Sequence, residues 1–169
     1  MNHVPPPITL REKLIFGSGD LFIGGSQVIM AFFYLRFLTD VVQISPALAG
    51  TVVLVSKVWD AISDPLMGVI TDNTRTRWGR RKPFFVLAFF GIISSFILLW
   101  YPIGFEDEAK KFVYVLLSYL YFSTVSTVCL VPYASMSSEI STDYSERNNI
   151  NGIRLFFSQT SSLLAAVLP

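Results

Sequence analysis

Two aspartates, Asp60 and Asp64, lie inside an apolar stretch that runs from Pro46 to Ile70. A spacing of four residues puts both carboxylates on one face of a helix, about 6 Å apart, with Ser63 beside them. Two anions this close repel each other when water is removed, so either one carboxyl holds a proton or a cation lies between them. Hard cations prefer oxygen ligands, which two carboxylates and a hydroxyl supply. Alternatively, a Lys57–Asp60 pair only joins helices, which leaves Asp64 uncompensated.

The composition excludes most soluble functions. The chain has 169 residues, a net charge of +1, 52% hydrophobic and 15% charged residues, and a mean hydropathy of +0.53. Soluble domains carry about 25% charged residues, and a nucleic-acid-binding protein needs a basic face. The lone cysteine, Cys129, and the lone histidine, His3, exclude a disulfide framework, a cysteine-based zinc site and a nucleophile–histidine constellation. We therefore expect neither an enzyme nor a partner of nucleic acid.

Long uncharged stretches predict an all-α membrane protein. No charged residue occurs from Phe84 to Phe105 or from Phe112 to Ser138, and a bilayer core about 30 Å thick needs roughly 20 apolar residues in a helix. Three weaker stretches, interrupted by a few charges, surround these two. A buried helix of a large soluble protein explains any one of them, but not five in succession. We expect membrane-spanning helices at residues 14–37, 46–70, 84–103, 112–138 and 148–169, the last of them truncated.

The distribution of Lys and Arg predicts the orientation. The link at residues 71–83 holds five basic residues and one acidic residue, whereas the next link, at 104–110, holds three acidic residues and one basic residue. By the positive-inside rule, the amino terminus and the links at 71–83 and 141–147 are cytoplasmic. The links at 40–45 and 104–110 then face outward. We expect the plasma (inner) membrane as the location.

Other polar side chains in the spans leave two interpretations open. Asp20, in a glycine-rich part of the first span, either packs helices together or accepts hydrogen bonds from a polar solute. Arg154, in the fifth span, either extends to the cytoplasmic surface or lines a cavity. Tyr133 is one of several aromatic side chains that could stack on a sugar face, although aromatics are common in membrane helices.

A family resemblance runs through nearly the whole chain. Residues 59–68, Trp-Asp-Ala-Ile-Ser-Asp-Pro-Leu-Met-Gly, resemble the W-D-A-I-N-D-P-x-x-G signature of the glycoside–pentoside–hexuronide:cation symporters, the family of the melibiose permease. Residues 74–83, Thr-Arg-Thr-Arg-Trp-Gly-Arg-Arg-Lys-Pro, are similar to the basic loop of the major facilitator superfamily. Residues 16–20 and 131–133 continue the likeness. The resemblance implies about twelve helices in two six-helix bundles, with this chain the amino-terminal part of the first bundle and the carboxyl-terminal half absent.

The resemblance also implies roles for individual residues. No cofactor is expected beyond a coupling cation, Na+, Li+ or H+, with Na+ between the two aspartates. The cation ligands are Asp60, Ser63, Asp64 and Thr127. The residues near the substrate are Asp20, Arg154 and Tyr133. The loop that controls the conformational change contains Gly68, Asp72, Arg75, Arg77, Gly79, Arg80 and Arg81.

The expected function is cation-coupled symport of a sugar or glycoside by alternating access. Ser63 stands where the signature has Asn, and Gly24, Leu130 and Ala134 stand where the melibiose permease has residues of its sugar site. A melibiose-type sugar contact is therefore not expected, which leaves another glycoside, a pentoside, an uronide or a different solute as alternatives. One alternative is a lysophospholipid carrier, because eukaryotic relatives share the second-helix signature. The other is a non-transporting membrane scaffold whose buried charges only join helices.

Overall fold

The computed structural model describes residues 8–101, 104–140 and 143–167, apart from the side chains of residues 138 and 139. All regular structure in these ranges is helical. The first helical run, Leu10–Val41, contains two α-helices followed by two π-helical segments, Ile29–Tyr34 and Phe37–Val41. The α-helices are α1 (Leu10–Gly17), α2 (Gly19–Val28), α3 (Pro46–Asn73), α4 (Lys82–Trp100), α5 (Glu108–Ile140) and α6 (Tyr144–Val167).

Local sequence explains where the helices begin and end. Thr9 and Glu12 form a reciprocal capping box at the start of α1, with the Thr9 N–H donating to the Glu12 carboxylate at 2.9 Å. Pro46 occupies the first turn of α3, where its missing N–H costs nothing. Helix α4 ends at Trp100, because Tyr101 precedes a proline and adopts an extended conformation. The expected span ends at 103 and 169 lie outside the described residues.

Within the described ranges, four helices are long and apolar enough to cross a membrane: Leu10–Val41, Pro46–Asn73, Lys82–Trp100 and Glu108–Ser137. Their presence in a wholly helical fold confirms the predicted class, an all-α membrane protein. Helix α6 carries more polar residues and is not among the four. The fifth predicted span therefore stays a prediction.

The first span is less regular than its sequence suggests. At its end the Val42 N–H donates to the Phe37 carbonyl at 3.0 Å, five residues back, which is the π-helical pattern. Gln43 follows with a φ of 60°, a left-handed conformation that reverses the chain before α3. Neither feature was expected, because the apolar pattern of the span gives no sign of either.

The chain forms two compact units. The first contains α1, α2, the adjoining π-helical segment, the end of α5 and α6. A Cβ on Gly24 would overlap the Ser158 carbonyl, and one on Gly25 would lie 2.6 Å from Ser161 Oγ. The Ser161 hydroxyl also donates to the Leu21 carbonyl. Small residues thus let α2 and α6 approach to backbone contact.

The second unit, Leu35–Ala134, contains α3, α4 and most of α5. A Cβ on Gly91 would lie 2.8 Å from a Val125 methyl, so α4 and α5 also pack closely. Before α3 starts, the Ser45 N–H donates to the Glu108 carboxylate at 3.0 Å and fixes the beginning of α5. The core of this unit consists of Leu38, Val42, Ile44, Ala49, Val52, Met67, Ala88, Leu99, Val115, Tyr119, Phe122 and Val125.

Candidate functional site

Helices α3 and α5 meet through hydroxyl–carboxylate contacts. The Ser123 hydroxyl donates to Asp60 Oδ1, and the Thr127 hydroxyl donates to Asp64 Oδ1 at 2.7 Å. Both hydroxyl-bearing residues are only 5% exposed. Each aspartate of the predicted site therefore has a partner on the neighbouring helix, and Thr127 is one of the residues the resemblance indicated.

The contacts repeat every four residues on both helices. Asp60 contacts Ser123, Asp64 contacts Thr127, and Gly68 has the Val131 side chain as the nearest neighbour of its Cβ position, at 4.0 Å. Because the contacting residues follow each other in the same direction along both helices, α3 and α5 run parallel and in register. Two membrane-spanning helices that are separated in sequence by one further span must run in the same direction, as α3 and α5 do.

Ser63 lies one turn after Asp60 on the same face of α3. Its hydroxyl oxygen is buried and has no hydrogen-bond partner among the described residues. A buried polar group without a partner is costly and calls for an explanation. Coordination of a cation by the Ser63 oxygen would be such an explanation.

Lys57 pairs with Asp60, a contact that the sequence analysis considered as an alternative to a cation site. Its ammonium donates to Asp60 Oδ2 at 3.1 Å, and its side chain remains 65% exposed. Asp60 therefore accepts hydrogen bonds on both oxygens, whereas the described contacts of Asp64 include only the Thr127 hydroxyl. The lysine compensates one aspartate of the two.

Two contacts around the aspartates were missed by the sequence analysis. Ser123 was not singled out, and Trp59 Nε1–H donates to the Thr124 hydroxyl at 2.9 Å. A signal did exist, because Ser123 and Thr127 have the same four-residue spacing as the two aspartates. Hydroxyl residues are common in membrane helices, so this spacing gains meaning only once the partner helix is known.

The donor set at this place consists only of oxygen. Two carboxylates and the hydroxyls of Ser63 and Thr127 suit a hard cation or a proton better than a transition metal. In the part of the chain that the structure describes, no group of three or more His, Cys, Asp or Glu side chains could hold a metal ion. Because Lys57 compensates Asp60, one negative charge, that of Asp64, is left over. A monovalent cation would balance this charge.

In the first unit, Asp20 and Arg154 form an ion pair between α2 and α6. Arg154 Nε donates to Asp20 Oδ2 at 2.6 Å, and one terminal nitrogen lies 3.4 Å from the other oxygen. The guanidinium also lies over the Phe16 ring, 5.7 Å from its centroid. The two residues expected near the substrate are thus brought together, in an arrangement that joins helices. Tyr133, the third, is buried on α5 in the second unit.

The basic loop between α3 and α4 is held by charge pairs. Arg80 donates to Asp72 at 2.8 Å, and buried Arg81 lies 4.0 Å from the same carboxylate. Arg81 also donates to the Pro132 carbonyl of α5 at 2.8 Å. Gly79 closes a turn with a φ of 99°, which favours glycine. Arg75 and Arg77, also expected in this loop, are exposed.

A family model described as MFS/sugar transport protein matches residues 15–169. The chain belongs to this family. An uncharacterized symporter of Synechocystis is 34% identical over 92% of this chain and 30% of its own length. YagG of Escherichia coli, a candidate glycoside/cation symporter, is 35% identical over 92% of this chain and 34% of its own. The sodium-dependent lysophosphatidylcholine symporter 1 of Xenopus tropicalis is 30% identical over 95% of this chain and 30% of its own.

This MFS chain therefore spans about a third of the length of the curated relatives it matches. Family membership and the apolar helices together identify an integral membrane protein of a transporter family, not of an enzyme family. One of these relatives, 35% identical, is named for glycosides, and others, 30–31% identical, are named for lysophosphatidylcholine, so likeness alone does not select the solute.

Proposed function

We propose that this chain forms part of a cation-coupled symporter that moves a sugar or glycoside across the membrane by alternating access. The observation that carries the proposal is the pair of aspartates inside an apolar helix, each accepting a hydrogen bond from a buried hydroxyl of a parallel helix. Relatives named as symporters, including a candidate glycoside/cation symporter, agree with it. The coupling ion is Na+, Li+ or H+.

The coupling would follow from the charge of the site. A charged residue at the centre of a bilayer costs about 2.5–3.5 kcal/mol on insertion scales. Lys57 offsets this cost for Asp60 only, whereas a bound cation or proton would neutralise Asp64 as well. Closing the cavity around the solute then becomes less costly with the ion bound, which links the two fluxes.

On the substrate side we propose Asp20, Arg154 and Tyr133. The Asp20–Arg154 pair supplies donors and acceptors that a polyhydroxylated solute can engage. A melibiose-type carboxylate has no room at position 24, because even a Cβ there meets the Ser158 carbonyl. This supports a solute contact one helical turn away, at Asp20.

For the conformational change, we propose that Asp72, Arg80 and Arg81 hold the cytoplasmic ends of the helices together. The support is the Arg80–Asp72 pair and the bond from Arg81 to the Pro132 carbonyl, which joins the loop to α5. Arg75, Arg77 and Gly79 of the loop, with Gly68 near the end of α3, would complete this set of residues. The amino terminus would lie in the cytoplasm and the protein in the plasma membrane.

The proposal is tested with the full-length protein in liposomes under separate Na+ and H+ gradients. We expect Asp60→Asn to reduce gradient-driven uptake of labelled glycosides, pentosides or uronides to background, because the ion loses a charged ligand. Glu106→Gln, an exposed carboxylate of the link before α5, is the matched control and should leave uptake unchanged. Full uptake by Asp60→Asn would refute the proposed cation site.

A second candidate is cation-coupled transport of a lysophospholipid, because relatives with that name are 30–31% identical to this chain. The same liposomes distinguish it when lysophosphatidylcholine is added to the solutes. Sodium-driven movement of this lipid without glycoside uptake would replace the sugar proposal. Absence of any ion dependence in folded protein would instead leave a non-transporting scaffold.

A further inference from the structure

Ser123 is not among the cation ligands that the family resemblance indicated. It lies on α5 one turn before Thr127, it is 5% exposed, and its hydroxyl donates to Asp60. Ser123 contacts Oδ1 of Asp60, just as Thr127 contacts Oδ1 of Asp64. The two hydroxyls thus stand in equivalent positions, one turn apart on one helix, opposite two carboxylates one turn apart on the other.

A hydroxyl in this position can change its role when an ion arrives. Without a cation it donates a hydrogen bond to the Asp60 carboxylate, which partly compensates the charge of this half-buried side chain. With a cation between the helices, its two lone pairs are available as ligands, since a hydroxyl both donates and accepts. An alanine or glycine at the same position could do neither.

Ser63 gives the reason why an extra oxygen is needed. It stands where the signature of resembling symporters has Asn, so an amide carbonyl oxygen, a strong ligand, is replaced by a hydroxyl. That hydroxyl is buried and has no partner in the described part of the chain. A site with two carboxylates and the hydroxyls of Ser63 and Thr127 would be short of strong ligands for a sodium ion.

We infer that Ser123 is a further ligand of the coupling cation and helps to determine which ion the site accepts. The inference rests on the proposed function and deepens it. The hydroxyl of Ser123 and the carboxylate of Asp60 form the part of the site nearer the start of α5, and Thr127 and Asp64 form the other part. Loss of the Ser123 hydroxyl weakens binding of an ion that needs many oxygens more than binding of a proton, which needs one carboxylate.

The test measures Na+ and Li+ binding to the full-length protein by calorimetry, together with uptake under Na+ and H+ gradients. We expect Ser123→Ala to weaken Na+ affinity about tenfold, as for a lost contact to a charged group, while H+-driven uptake changes less. Ser123→Thr keeps the hydroxyl and should restore both the affinity and the ratio between ions. Ser95→Ala is the matched control, because Ser95 is also buried but its hydroxyl donates, among the described residues, to the Ile92 carbonyl of its own helix.

The outcomes separate this inference from the proposed function. If the unchanged protein binds Na+ and loses it in Asp60→Asn, but Ser123→Ala keeps the normal affinity and ion ratio, the function stands and Ser123 is not a ligand. If Ser123→Ala lowers only thermal stability, as Ser95→Ala would, the hydroxyl merely joins α3 to α5. If the unchanged protein shows no ion dependence, the proposed function is wrong and the inference falls with it.

Discussion

The carboxylate of Asp20 and the guanidinium of Arg154 are 134 positions apart in the sequence and in contact in the structure. Both side chains are largely buried, and Phe16 covers the guanidinium. Removing one partner of a buried pair leaves an uncompensated charge, which costs about 3–5 kcal/mol. The pair therefore stabilises the contact between α2 and α6 whether or not it also meets a solute.

Exchanging the two charges separates these roles. Asp20→Asn and Arg154→Gln, made singly, should each lower the melting temperature of the full-length protein, and Asp20→Arg combined with Arg154→Asp should recover most of the loss. Thermal unfolding followed by tryptophan fluorescence measures the stability, and uptake is measured in parallel. If the exchanged pair recovers stability but not uptake, the side chains contact the solute. If it recovers both, the pair only joins helices.

Charged side chains stand out in this sequence more than hydroxyls do. Asp60 and Asp64 were singled out because carboxylates in an apolar stretch are costly and so indicate a function. Ser123, which contacts Asp60 in the structure, was not singled out, since a serine in a membrane helix costs little and has many uses. The Asp20–Arg154 pair was missed for another reason: each residue has a plausible role alone, and only the packing of α2 on α6 joins them.

Among the helices, the repeat of contacts along α3 and α5 has the clearest mechanical meaning. Contacts recur at Asp60, Asp64 and Gly68 with the same offset to their partners. Sliding one helix past the other would break every contact at once, and a new match would need a shift of a full turn, about 5.4 Å. We expect α3 and α5 to move as one body in the conformational change that we propose.

The close contact of α2 with α6 gives a prediction about helix packing. Gly24→Ala places a methyl group against the Ser158 backbone, which cannot rotate away, so we expect a loss of about 1–3 kcal/mol in stability. The recovery of folded protein after heating, measured by size-exclusion chromatography, checks this. Gly50→Ala is the control, because no atom lies within 4 Å of its Cβ position. Equal tolerance of both changes would contradict the packing described for α2 and α6.

For the molecule as a whole, four helices suited to a bilayer and a large exposed apolar surface agree with the predicted class. The apolar stretches sufficed for this, because the length of a span and its hydropathy are properties of sequence alone. Helix α6 is less apolar, so its place in the membrane rests on family likeness more than on composition. The distribution of basic residues supplies the remaining prediction, the orientation.

Cysteine labelling of the full-length protein tests that orientation. Trp78, in the basic loop, and Phe105, before α5, are both exposed and lie in links that we expect on opposite sides. A membrane-impermeant maleimide should label Phe105→Cys in intact cells, and Trp78→Cys only after the membrane is opened. Cys129, half-buried on α5, is first replaced by serine to remove background. The reverse pattern would invert the predicted topology.

The π-helical segments of the first span have a consequence for comparing this protein with its relatives. A π-helical turn holds about one residue more than an α-helical turn. Each π-helical turn therefore contains an extra residue although the number of turns stays the same. Side chains after Ile29–Tyr34 are therefore rotated by about 100° from the faces that an uninterrupted α-helix would give them. Gap-free numbering carried over from a relative with a straight helix would therefore assign the side chains that follow Tyr34 to the wrong face of the first span.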